Sequence, residues 1–219
     1  MQTNHAYIMK HQTWYVIAVF AWTCLSLGWT LFDLSLNLHA WTNFTSWVWS
    51  MQTVFFTLHS IHLINVNVVF ITAATMDVYF LPILFACEWA TALAVVYMIV
   101  ENAGLFAANI EKFGEAETWI GSFIVHYITL IMLVLYMHQQ PGRKKQLINT
   151  TLEKGEKAHF YHFWSLAVFA ILFTYCTILT PAKHYGLGED SVKEINITLV
   201  ICGLLGVAVF HAWLRNFEW

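Results

Sequence analysis

Charged side chains are scarce in this chain. Between Asp33 and Asp77 it runs 43 residues without one Asp, Glu, Lys or Arg, and charged residues make up only 11% of the 219. Soluble domains carry roughly 25%, so a surface exposed to water on all sides is excluded. Basic excess is missing too. The formal net charge is −3 and the sequence pI about 6.4, which leaves no electrostatic footprint for nucleic acid. The four cysteines, Cys24, Cys87, Cys176 and Cys202, lie inside apolar segments with neither CxxC spacing nor a Cys/His cluster. They read as small buried apolar residues and not as a disulfide framework or zinc ligands, so no metal site and no resident cofactor are expected. Internal repeats, low-complexity tracts and a soluble linker are likewise lacking, which points to a single integral membrane domain over 1–219.

What is present in abundance is apolar and aromatic: 59% hydrophobic residues, 17% aromatic with 11 Trp, and a mean hydropathy of +0.60. A helix rising about 1.5 Å per residue needs about 20 apolar residues to cross roughly 30 Å of hydrocarbon. Six segments meet or approach that length, at about 14–33, 43–64, 81–101, 118–138, 160–180 and 196–215. The fold class is therefore all-α, a polytopic membrane helix bundle of about six transmembrane helices. The apolar stretch Trp14 to Phe32 is too long for a signal-peptide core and reads as the first of them. Residues 65–80 continue apolar past the second helix, as a surface helix or a re-entrant turn.

With six crossings, Lys10, Arg143, Lys144, Lys145, Lys154, Lys157 and Arg215 fall on one side, against Lys112, Lys183 and Lys193 on the other. The bias toward positive residues inside puts both termini in the cytoplasm, or in the matrix if the membrane is mitochondrial. Trp14, Tyr15, Trp41, Trp47, Trp49, Trp119, Trp213 and Trp219 sit near the expected interfaces, as aromatic belts do. The endoplasmic reticulum or another internal membrane is the expected location, with the mitochondrial inner membrane as an alternative.

Polar side chains at membrane depth need a partner or a chemical role. His126 lies about eight residues into the fourth segment, roughly 12 Å from its outer end, and a neutral imidazole there is a proton acceptor shielded from water. Glu88 is costly in lipid unless protonated or paired, so it is a candidate binding residue. Thr45 alone would be unremarkable, because threonines in membrane helices commonly bond back to their own backbone. Asn43, Asn149 and Asn196 each begin a glycosylation pattern. The first and third fall in or near membrane helices and the second on the cytoplasmic side, so none is expected to be used.

Two motifs change the weight on Thr45 and His126. Trp41-Thr42-Asn43-Phe44-Thr45, followed by Met51-Gln52-Thr53-Val54-Phe55-Phe56, resembles the second-helix signature of the androgen-induced and androgen-dependent membrane hydrolase family. The segment from His126-Tyr127-Ile128-Thr129-Leu130 to Met137 is similar to that family's fourth-region helix. Phe123 stands where members often carry a second His, and Tyr127 where Thr is usual. The resemblance implies hydrolysis of fatty acid esters of hydroxy fatty acids within the membrane, with Thr45 as nucleophile and His126 as the other catalytic residue. A Thr hydroxyl is a poor nucleophile until an adjacent imidazole takes its proton. No third residue to orient the imidazole stands out, Glu88, Asp33 and Asn37 being candidates. The partners implied are membrane lipids and the ester substrate.

The segment boundaries set a geometric condition. They put Thr45 near the outer surface and His126 deeper, so either the second helix starts nearer Leu38 or the pair does not meet. Two other functions fit the composition. One is a noncatalytic accessory subunit of a larger membrane complex. The other is a haem-binding electron carrier using His59, His62, His126 and His211, although no helix pairs histidines at both depths.

Overall fold

The computed structural model describes residues 2–36, 44–64, 76–101, 107, 110–111, 114–139, 157–178 and 189–216. Nearly all of them are helical and none is in a strand. The helices are α1 (Gln2–Leu36), α2 (Phe44–Ile64), α3 (Leu81–Glu101), α4 (Glu115–Phe123), α5 (Thr129–Gln139), α6 (Lys157–Ile178) and α7 (Glu189–Asn216). A π-helical turn, Met76–Phe80, leads into α3, and a second, Ile124–Ile128, joins α4 to α5 into one rod. Six rods result, as the hydrophobic lengths require.

Five of these rods carry windows long and apolar enough to cross a membrane. The exception is α2, which has the length but carries Ser46, Ser50, Gln52, Thr53, Thr57, His59 and Ser60 along its 21 residues. Its polarity is accommodated by position. α2 packs on α1 along one side and on α3 and the second π turn along another. Of residues 65–80, only Met76–Phe80 is described; that part is neither a surface helix nor a re-entrant turn but the start of the third rod.

Contacts along the bundle fix the direction of each rod. Tyr15 meets His59 while Thr30 meets Thr53, so α1 and α2 are antiparallel. Asp77, Glu88 and Ala92 meet Tyr136, Thr129 and Tyr127 in that order, so α3 opposes α4–α5. α3 also opposes α7, since a side chain at Gly206 would meet Ala86 while Tyr97 bonds Glu194. Trp164 on Phe210 and Leu172 beside Gly203 set α6 against α7. The start of α1 and the end of α7 therefore lie at the same end of the bundle.

The central rod is the third. Of its spanning window 72% is buried within the protein, against 22–33% for the other four. Between helices in lipid there is little hydrophobic driving force, and close packing of small residues substitutes for it. Gly206 shows how close the approach is: a Cβ there would stand 2.9 Å from the Ala86 Cα and 3.2 Å from its carbonyl oxygen. Trp164, Tyr175, Phe55, Phe56 and Phe210 fill the interior, while Trp14, Leu25, Leu31, Leu166 and Ile201 point outward to the lipid. All four cysteines are free thiols, Cys87 buried and Cys24 exposed on the lipid side.

α1 is peripheral and joins through one stripe, with Tyr15, Val19, Trp22, Thr23, Ser26 and Thr30 recurring every three or four residues. A polar ladder ties that stripe to α2. Trp22 Nε1 donates to Gln52 Oε1 (3.1 Å), the Thr23 and Ser60 hydroxyls meet at 2.9 Å, and Trp49 Nε1 donates to the Ser26 carbonyl (3.2 Å). Backbone groups left over by the first π turn are used as well: Trp164 Nε1 donates to the Val78 carbonyl at 2.8 Å. Such pairing is obligatory where no water is available to complete it.

Candidate active site

Thr45 is the second residue of α2, and aromatic rings set its place. Phe44, buried beside it, packs on Tyr175 of α6 with ring centroids 5.1 Å apart, and Trp47 meets the same ring at 5.6 Å. The first turn of α2 is thereby clamped to the last turns of α6. Thr23, Thr30, Ser50, Thr53 and Thr118 each donate to the carbonyl four residues earlier. Thr45, at the head of its helix, makes no such bond, and its hydroxyl has no hydrogen-bond partner among the described residues.

His126 sits in the middle of the π turn that joins α4 to α5. Such turns break the regular i→i−4 ladder and recur at functional sites. The chain is pinned to α3 just after the histidine. Tyr127 donates to the Ala92 carbonyl (3.3 Å), and Thr129 donates to Glu88 Oε2 (2.7 Å). The imidazole Nδ1 is buried and has no partner.

Thr45 and His126 line one cavity. Its volume is about 30 Å³, and it opens partly to the surroundings. At ~10–15 Å³ for each water, it takes about two. Three further side chains with polar atoms line it, Thr91 from α3, Tyr175 from α6 and Asn196 from α7, between Phe44 and aliphatic side chains. The Thr91 hydroxyl is committed to the Glu88 carbonyl (2.9 Å), whereas the Asn196 amide oxygen is buried with no partner.

The expected conflict of depth between Thr45 and His126 does not arise, because the rods are staggered. α4 begins eleven residues before His126, while the cavity lies near Tyr175, close to the end of α6, and Asn196, seven residues into α7. The described start of α2 is at this same level, so Thr45 and His126 line one cavity, while the stretch from Leu38, where the helix is expected to begin if the pair meets, lies outside the described residues.

Glu88 is not part of the cavity wall. It is buried one turn behind Thr91, with Oε2 held by Thr129 and Oε1 unpartnered. Asp33 and Asn37, the other candidates to orient the imidazole, have side chains outside the described residues, as does His62. Asn43 and Asn149 are also outside them. The other histidines are dispersed. His59 accepts or donates with the Tyr15 hydroxyl (3.1 Å) beneath the Tyr136 ring, and His211 packs on Tyr161 and Trp164. Among the described residues no three His, Cys, Asp or Glu converge.

Phe123 and Tyr127 stack on each other at 5.9 Å and are not on the cavity wall. Asn196 and Thr91 are the members of the wall that the sequence reading missed. Asn196 was detectable as an amide between Ile195 and Ile197 within a membrane segment, but its place in a glycosylation pattern absorbed it. No family model, curated protein or solved structure matches the chain.

Proposed function

We propose that this protein is an intramembrane threonine hydrolase of lipid esters, of the class of fatty acid esters of hydroxy fatty acids, with Thr45 as nucleophile and His126 as general base. One observation carries the reading: Thr45 and His126, from separate helices, line one cavity, where the buried His126 Nδ1 has no partner and the Thr45 hydroxyl has none among the described residues. The resemblance of the two segments that carry them to a hydrolase family supports it independently.

The chemistry follows from the side chains. The Thr45 hydroxyl attacks the ester carbonyl as its proton passes to His126, and His126 then gives that proton to the departing alcohol. Water repeats the sequence on the acyl-threonine, releasing the fatty acid and restoring Thr45. That volume accepts the reacting carbonyl and a water but not an acyl chain. The two chains of the substrate therefore stay in the surrounding lipid, which an ester with two acyl arms tolerates. The protein would act as a multi-pass protein of the endoplasmic reticulum, another internal membrane or the mitochondrial inner membrane, with both termini on the cytoplasmic or matrix side, where seven of its ten cations fall by sequence.

Hydrolysis of a branched fatty-acid ester by the purified protein in detergent tests the proposal. Wild type should release free acid, and Thr45→Ala and His126→Ala should not while melting as wild type does. The small size of the cavity favours a second reading, a noncatalytic subunit of a larger membrane complex. Wild-type protein inert toward a range of lipid esters, and recovered from its membrane in a stable assembly with other subunits, would select it.

A further inference from the structure

Resting on the hydrolase reading, we infer that Asn196 is the oxyanion-stabilising residue of this site: its side-chain amide donates a hydrogen bond to the ester carbonyl oxygen as Thr45 attacks. Asn196 stands near the start of α7 and faces the same cavity as Thr45 and His126. Its amide oxygen is buried without a partner. A buried polar group left unpaired is rare in a folded protein and rarer still where lipid replaces water. An amide offers two N–H donors and one acceptor, and a half-turn of the group exchanges the end that faces the cavity.

Five side chains with a polar atom line the cavity, Thr45, His126, Thr91, Tyr175 and Asn196, and Tyr175 is engaged elsewhere, its ring packed between Phe44 and Trp47. Thr45 is the nucleophile, His126 takes and returns its proton, and the Thr91 hydroxyl already donates to the Glu88 carbonyl. Asn196 is the one amide among them, its oxygen is buried without a partner, and an amide supplies N–H donors. As the bond from Thr45 Oγ to the carbonyl carbon forms, the π pair of the carbonyl moves onto its oxygen. Donors fixed beside that oxygen stabilise it more than they stabilise the neutral ester, which is the differential that accelerates acyl transfer. When the pair returns, the bond to the alcohol oxygen breaks and the alcohol leaves with the proton held by His126. Water attack on the acyl-threonine regenerates the same oxyanion, so Asn196 serves both halves of the reaction.

The test uses the full chain in detergent micelles, as wild type, Asn196→Asp, Asn196→Ala and Thr45→Ala. Asn196→Asp keeps the shape and replaces the donors with an acceptor; Asn196→Ala supplies the same comparison should a buried charge prevent folding. Two readouts are taken: kcat and KM on a long-chain ester, and the rate at which an alkyl fluorophosphonate modifies Thr45, the new O–P bond displacing fluoride. The expected result is a fall in kcat on the order of 10²- to 10³-fold with KM unchanged, and labelling slowed in parallel. Asn196 variants that hydrolyse and label like wild type, with Thr45→Ala inert, would overturn the role of Asn196 and leave the hydrolase reading standing. A raised KM at constant kcat would also overturn it, since that is a loss of uniform binding. Wild-type protein inert to both ester and probe would overturn the two together.

Discussion

The interface of α1 with α2 and the cavity at the head of α2 use the same kinds of side chain to opposite effect. At the interface, indole, hydroxyl and amide groups meet one another: Trp22 with Gln52, Thr23 with Ser60, Thr30 with Thr53, Trp49 with the Ser26 carbonyl. Among the described residues of α2, the Gln52 Nε2 and the Thr57 hydroxyl are left over. At the cavity, a hydroxyl, an imidazole and an amide from three rods line one wall, His126 Nδ1 and Asn196 Oδ1 are buried and unpaired, and Thr45 Oγ has no partner among the described residues. In lipid the first arrangement holds helices together. The second leaves polar groups unsatisfied in the protein alone, which is the condition for receiving a polar ligand or reacting group.

Breaking the cavity should act on chemistry alone. His126→Ala is expected to lower ester hydrolysis on the order of 10²- to 10⁴-fold, the usual contribution of general acid–base catalysis, and Thr45→Ala to abolish it. Neither should move the unfolding midpoint in detergent, because neither side chain is part of a hydrogen-bonded pair at its reactive atom. A shift in stability as large as that of an interface variant would erase the distinction between the two regions.

Gly206→Leu joins the two kinds of effect. The added side chain meets Ala86 backbone atoms rather than a flexible chain end, so α7 must move away from α3, at the upper end of the roughly 1–3 kcal/mol that overpacking costs. Because α7 also carries Asn196, activity per folded molecule should fall along with the melting temperature. Unfolding curves and kcat measured on the same sample check both.

Smaller effects are expected at the interface. Trp22→Phe removes the donor to Gln52 and leaves a buried amide with both ends unpaired, a cost of about 1–3 kcal/mol, with kcat of the folded fraction unchanged. A double-mutant cycle over Thr23→Ala and Ser60→Ala should give the least, a coupling of about 0.6 kcal/mol, as is typical of hydrogen bonds between membrane helices. Reduced hydrolysis in either experiment would show that the interface is not merely structural.

Charge-free length made the six rods legible in the sequence, since each described helix overlaps the apolar segment expected for it. Register was not legible. The π turn at Ile124–Ile128 and the stagger of α4 against α2 bring Thr45 and His126 to one level, and both arise from packing between rods rather than from the composition of either. The motif around Thr45 also divides in a way that residue type does not reveal. Its later part, Gln52, Phe55 and Phe56, is fully buried and structural, while Thr45 at its head faces the cavity. Glu88, expensive at depth and hence a natural candidate for binding, is taken up by Thr129 behind the cavity wall. Asn196 satisfied the same criterion of polarity at depth and lies on the wall itself.

The central claim, that the unpaired hydroxyl at the head of α2 is the reactive one, is tested most directly by rapid acid quench of the protein during turnover of a fatty acid ester, followed by peptide mass spectrometry. The account predicts an acyl group on Thr45, accumulating when deacylation is slow and absent in Thr45→Ala. An acyl group on another residue, or none on Thr45 during active turnover, would contradict it.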